Sequence, residues 1–181
     1  MKFSILLLAK ASILASVFIM TACSDASDAS DASDITAPQT VANDSTKTTP
    51  IELTVFKSRT CGCCQKWIDH AEEYGFDVTA NNVTFLSELK DDKGIAPNYR
   101  SCHTAESKEG YVFEGHVPAK FIKQYLATVP ANSIGLSVPA MPVGSPGMEM
   151  GERFMPYQIL LLHSDGSSTV YAEVATYEEQ F

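Results

Sequence analysis

The chain has 181 residues, a formal charge of −9 and five cysteines. Its length suits one domain with a single core, once the N-terminal segments described below are set aside. It has no basic tract, which excludes a nucleic-acid binder held by phosphate contacts. The acidic balance favours solubility and the attraction of cations.

Residues 1–22 have the pattern of an export signal. Lys2 precedes an apolar run that ends in Met20-Thr21-Ala22-Cys23. Lys10 interrupts that run and leaves too few uninterrupted apolar residues to span a bilayer. The last four residues resemble the cleavage box of a bacterial lipoprotein, with Cys23 as the lipidated residue. An ordinary signal peptide cut near Cys23 is the alternative, and both readings export the protein. The lipoprotein reading predicts a periplasmic address, anchored to the outer membrane through Cys23. Removing Met1–Ala22 takes away Lys2 and Lys10 and no acid, so the formal charge moves from −9 to −11.

Residues 23–50 comprise the anchor cysteine and a linker. The three-residue repeat Asp25-Ala26-Ser27 through Asp34 has no apolar period, and Thr, Ala, Pro and Asn carry the composition on to Thr49. Such a segment cannot bury a core and reads as a disordered tether. The stretch from Ser24 to Thr49 would average about 30 Å end to end as a flexible coil. Residues 51–181 are then the folded domain.

Within it, Ile51-Glu52-Leu53-Thr54-Val55-Phe56 alternates as a strand. A helical pattern follows the cysteines, with Trp67, Ile68, Ala71 and Tyr74 on one face and Gly75 as its stop. Phe76 to Ala80 alternates as a second strand. Thr84 to Lys90 reads as a second helix with Thr84 as its cap, ending near Lys93-Gly94. Cys102–Glu106 and Tyr111–Val117 flank Lys108-Glu109-Gly110 as a hairpin. Pro118 opens a third helix, lined by Phe121, Ile122, Tyr125 and Leu126. Residues 129–156 read as a long Pro- and Gly-rich loop. A second hairpin, Tyr157–Leu162 and Thr169–Val174, closes the chain. This order predicts an α/β domain of thioredoxin-like fold, a mixed sheet with flanking helices and a C-terminal hairpin. In that fold the position before the third strand faces the cysteine motif and is a proline in thioredoxins. Here it is Ser101-Cys102, so Cys102 is expected beside Cys61 and Cys64.

Cys61, Cys63 and Cys64 sit where a strand hands over to a helix. Free N–H groups at a helix start stabilise thiolates, and Lys57, Arg59 and Lys66 act in the same direction. The C-x-x-C pair Cys61/Cys64 fits a redox couple or half of a four-ligand metal site. Cys63 and Cys102 tilt the balance toward metal, because extra thiols beside a redox pair invite wrong disulfides. Four converging thiolates suit a soft monovalent ion. Adjacent Cys63 and Cys64 fit one small tetrahedral ion poorly but suit bridging several, as in a Cu(I)–thiolate cluster. A thiol–disulfide oxidoreductase using Cys61 and Cys64, and a structural zinc or disulfide arrangement, remain as alternatives.

Met141, Met148, Met150 and Met155 all fall in one loop-like window. Methionine is ordinarily core filler, but clustering among Gly and Pro favours thioether ligation, with Met148 foremost because its flanking glycines let the backbone approach a site. In the first hairpin, a turn at Glu109-Gly110 sets Cys102 opposite Val117 and His103 opposite His116. A longer turn sets His116 opposite Ser101. Either way His116 lies within a residue of Cys102 across the ladder and is a candidate nitrogen ligand, or else a solvated strand-end histidine. His103 should face away from Cys102 if the strand is regular. His70 lies about 10 Å along the helix from Cys63; it and His163 read as ordinary surface or hairpin residues.

Four stretches carry a family resemblance: Lys57-Ser58-x-Thr60-Cys61-Gly62-Cys63-Cys64-x-Lys66-Trp67, Arg100-Ser101-Cys102-His103-Thr104-Ala105, Glu114-Gly115-His116-Val117-Pro118-Ala119 and Met141-Pro142-x-Gly144-Ser145-Pro146-Gly147-Met148-Glu149. Together they closely resemble the CopG-type periplasmic copper-resistance proteins, and the likeness runs from Ile51 to about Ala172. The resemblance implies a thioredoxin-like domain that binds copper through its cysteines as a multi-copper thiolate cluster. It also implies a role in copper tolerance, with interconversion of Cu(I) and Cu(II) in some members. The metal ligands expected are Cys61, Cys63, Cys64 and Cys102, with Met148 and His116 supplementary. The expected partners are copper ions, periplasmic copper-handling proteins and, through Cys23, the membrane. The lipoprotein-like signal and the acidic repeat lie outside the resemblance.

Overall fold

A computed structural model describes residues 49–181; the signal segment, Cys23 and nearly all of the linker lie outside the described residues. The elements in chain order are β1 (Ile51–Lys57), α1 (Gly62–Glu73), β2 (Phe76–Asn82), α2 (Leu86–Asp92), β3 (His103–Ser107), β4 (Val112–Gly115), α3 (Ala119–Ala127), β5 (Ser133–Val138), β6 (Tyr157–His163) and β7 (Ser168–Val174). Short 3₁₀ turns lie at Pro97–Tyr99 and Tyr177–Gln180. The seven strands form one mixed sheet in the order β2-β1-β3-β4-β5-β6-β7. β1 runs parallel to β2 and antiparallel to β3, and β4 runs parallel to β5. Among the described residues no helix is long and apolar enough to cross a membrane.

The helices sit where the apolar periods require. Trp67, Ile68 and Ala71 of α1 and Phe121, Ile122 and Tyr125 of α3 are buried in one cluster with Val55, Ala105, Phe113 and Leu136 from the sheet. Trp67 is fully buried and still satisfied, because its indole N–H donates to Val117 O at 2.9 Å. Gly75, with φ +82°, takes the left-handed conformation that ends α1.

Three expectations need correcting. The second helix starts at Leu86, with Phe85 and not Thr84 at the N-cap, and no side chain caps it. The Pro- and Gly-rich segment is not all loop, because β5 lies within it. Gly135 belongs to β5 because a Cβ there would stand 1.7 Å from Val112 O; only glycine lets the two backbones come this close. The first hairpin takes neither anticipated register. Thr104 pairs with Glu114 and Ala105 with Phe113. Its loop has three residues, Lys108 to Gly110. Ser107 N–H donates to Tyr111 O (2.9 Å), and Gly110 adopts φ +90°. Continued past the ladder, this register sets Cys102 opposite His116.

The long segment after β5 folds back over the start of α1. Gln180 holds it from behind, donating to Gly144 O at 3.0 Å while accepting from Tyr157 Oη at 2.7 Å.

Candidate metal centre

The cysteines of the first motif sit at the start of α1, with Cys61 at the N-cap. Cys61 and Cys64 are joined as a disulfide, while Cys63 and Cys102 are free. The Cys63 sulfur lies 3.5 Å from that of Cys61 and 3.9 Å from that of Cys102. The Cys102 sulfur is 3.5 Å from Cys64 Sγ. All four sulfurs lie within 4.8 Å of one another. The structure thus brings together the sulfurs of residues some forty positions apart.

Two imidazoles complete the pocket. His116 Nε2 is 3.1 Å from Cys102 Sγ, and its Nδ1 lies 2.8 Å from Pro146 O. A carbonyl only accepts, so Nδ1 carries the proton and the Nε2 lone pair faces the Cys102 sulfur. Burial holds the His116 pKa below its ordinary value, against the opposing effects of the Pro146 carbonyl and Glu149. The imidazole is therefore neutral, with one nitrogen fixed by a backbone carbonyl and the other presented to the pocket. Metal-ligating histidines are oriented in this way.

A regular strand through Cys102 would turn His103 away from it, yet His103 Nδ1 is 3.4 Å from Cys102 Sγ. Cys102, His103 and His116 form a second set of three whose ligand atoms lie within 4.8 Å of one another. β3 begins only at His103, so Cys102 precedes the regular strand and the alternation rule does not separate the two. His103 is fully buried between Trp67 (ring centroids 4.6 Å apart) and His116 (5.1 Å). Its Nε2 has no hydrogen-bond partner. Burial, followed by the charges of His116, Lys90 and Lys57, pushes its pKa well below the usual range. The signal available in the sequence was its place next to Cys102 in Ser101-Cys102-His103.

Cys102 itself is not a ready thiolate. Burial first, and then the neighbouring Cys63, push its pKa up to about 12. Cys102 is the residue before β3, whereas the other three cysteines sit at the start of α1.

The methionine loop reaches the same place through its backbone. A Cβ on Gly147 would stand 2.7 Å from Cys63 O and 2.8 Å from Trp67 N, so Gly147 lies flat on the first turn of α1. Met148 follows directly and is partly buried, whereas Met141, Met150 and Met155 are exposed. His70 and His163 stand outside the cluster. His70 is buried, contrary to expectation, and its Nε2 accepts from Ala119 N–H at 3.2 Å. His163 sits on the second hairpin, 3.0 Å from Thr169 Oγ1.

The donor set of thiols and imidazole nitrogens is the set that soft, thiophilic ions select. Fold and site define a class: a mixed α/β protein whose densest chemistry is a thiol–imidazole cluster with metal-ligand spacing. Comparison with known proteins narrows it. The profile of a family described as "Protein of unknown function, DUF411" matches residues 99–148. The solved structure of copper resistance protein copG, form 1, is 42% identical, with a TM-score of 0.65, and the match covers 69% of this chain and 98% of that one. Form 2 matches with 41% identity over the same shares and an equal TM-score. No curated protein matches the chain. The chain belongs to the CopG family of copper-resistance proteins. Its cysteine cluster and its relatives together support a copper-related role.

Proposed function

We propose that the protein is an exported, lipid-anchored copper-binding protein that sequesters, hands on or redox-cycles copper in the periplasm. Copper is its cargo, held as Cu(I) in a thiolate cluster. Cys61, Cys63, Cys64 and Cys102 are the principal ligands, with His116 and Met148 supplementary. The observation that carries this reading is the meeting of Cys102 with the three helix-start cysteines, their sulfurs within 4.8 Å of one another, while His116 Nε2 stands 3.1 Å from Cys102 Sγ. A thioredoxin-like core is supported by the strand order β2-β1-β3-β4 with β3 antiparallel to its neighbours. The periplasmic address and the anchor at Cys23 rest on the sequence pattern, and periplasmic copper-handling proteins would be donors or acceptors.

The disulfide adds a condition. Binding through all four sulfurs requires Cys61–Cys64 to be reduced, which takes up two electrons and two protons. In the other direction, two Cu(II) ions accept one electron each as the two thiols close to a disulfide and release two protons. The pair thus matches two Cu(II) ions in electron count, and a partner dithiol closing to its own disulfide would supply the two electrons and two protons of the return step. The same disulfide favours the second reading, a thiol–disulfide oxidoreductase using Cys61 as nucleophile and Cys64 as resolving thiol.

Elemental analysis of protein purified anaerobically after copper exposure tests the proposal. Copper bound by wild type and lost by Cys102→Ser is the expected result. Full stoichiometry and affinity in that variant would falsify the convergence. Insulin reduction by the metal-free protein would favour the oxidoreductase.

A further inference from the structure

Ser101 and Cys102 lie beyond both ladders of β3. Pairing with β1 ends at His103, and pairing with β4 ends at Thr104. The Ser101 peptide groups therefore have no sheet partners, and two charged side chains take their place. Glu114 Oε1 accepts from Ser101 N–H at 2.6 Å, and Lys90 Nζ donates to Ser101 O at 2.9 Å. Lys90 also pairs with Glu114 Oε1, and Thr104 Oγ1 donates to Glu114 Oε2 at 2.6 Å. Glu114 is fully buried and Lys90 is 3% exposed.

A buried ion pair is an expensive way to gain stability, because desolvating two charges offsets most of their attraction, and apolar residues of similar volume often serve as well. An apolar pair could not supply an acceptor and a donor to the two ends of one residue's backbone. The Ser101 carbonyl belongs to the peptide plane that carries Cys102, so Lys90 fixes that plane directly. A third side is closed sterically: a Cβ on Gly115 would stand 2.5 Å from Ser101 Cβ. The Ser101 hydroxyl donates to Ala140 O, tying the residue to the segment that leads into the methionine loop.

We infer that Glu114 and Lys90 are positioning residues that hold the Ser101–Cys102 peptide so that the Cys102 sulfur faces Cys63, Cys64 and His116. They do for Cys102 what the ladder hydrogen bonds do for the rest of β3. The copper part of the test rests on the copper-binding proposal; the thiol-labelling part does not.

The full-length protein is compared with the double variant Glu114→Leu/Lys90→Met, which removes both charges and keeps the volume, and with Glu114→Gln. With the Cys61–Cys64 disulfide intact, alkylation of Cys102 relative to Cys63 is followed by peptide mass spectrometry. Cu(I) affinity is measured by competition with a chromogenic Cu(I) chelator, and folding by circular dichroism. The double variant is expected to stay folded, label several-fold faster at Cys102 relative to Cys63, and bind Cu(I) about tenfold to a hundredfold more weakly, the usual loss when an outer support of a ligand is removed. Glu114→Gln shifts both in the same direction by less, and it decides the matter if the double variant does not fold. A wild-type labelling ratio in a folded variant overturns the positioning role. A shifted ratio with unchanged Cu(I) affinity leaves the clamp standing and contradicts Cys102 as a copper ligand.

Discussion

His70 and His116 are both buried imidazoles with lowered pKa values, yet they sit in regions of opposite character. His70, on the last turn of α1, is spent on structure. Its Nε2 caps the N-terminus of α3 through Ala119 N–H, and its ring packs on Tyr74 and Phe181 at 4.7 and 6.0 Å. His116 uses Nδ1 on Pro146 O and leaves Nε2 facing a sulfur. His103 beside it has an Nε2 with no partner at all. The contrast teaches that burial does not mark the functional histidine. What marks it is a ring nitrogen left over once the fold has been satisfied.

The sharpest way to break the contrast is to exchange the consequences. His70→Ala should cost about 2–4 kcal/mol in chemical denaturation, from lost packing and a lost cap, with Cu(I) affinity unchanged. A copper defect in that variant would put His70 on the wrong side of the comparison. Acid should act on the same residue. Burial lowers the His70 pKa from 6.5 to about 4. Between those values the unfolded chain binds a proton that the folded one refuses, so stability rises with pH there. The contribution is complete above about pH 6.5 and is lost as pH falls toward 4, a change of at most about 3 kcal/mol. Melting temperatures across pH 7 to 4 should fall more steeply for wild type than for His70→Ala; equal slopes would remove His70 as the cause.

The converse change is His116→Leu, which keeps the bulk and removes the nitrogens. It should lower Cu(I) affinity about tenfold to a hundredfold, and unchanged affinity in chelator competition would make His116 a second His70. The smallest effect expected is that of Met148→Leu, a near-isosteric change costing less than about 1.5 kcal/mol in stability. It should weaken Cu(I) binding a few-fold, and no change would confine Met148 to packing.

The parts legible in the sequence were those fixed by local pattern. The alternation of Ile51 to Phe56 and the face of Trp67, Ile68 and Ala71 located β1 and α1, and with them three of the four sulfurs. Cys102 was legible because the order of elements sets the start of β3 against the start of α1. What escaped depended on details that a linear pattern does not carry. The left-handed Gly110 lengthened the hairpin loop by one residue and shifted the register, which moved His116 from beside Cys102 to opposite it. β5 was hidden because Gly135 and the flanking prolines read as loop, although Ile134, Leu136 and Val138 alternate as a strand should. The burial of His70 depends on α3 and on the last residue of the chain, neither of which a helix period can foresee. Glu114 and Lys90 offered only a charge each, on elements whose contact is set by the fold.

Copper K-edge X-ray absorption of the copper-loaded protein tests the central claim most directly. Convergence of the strand and helix sulfurs on copper predicts a sulfur-dominated first shell with imidazole scattering that disappears in His116→Leu. A first shell of oxygen and nitrogen alone, the same in wild type and in Cys102→Ser, would contradict it.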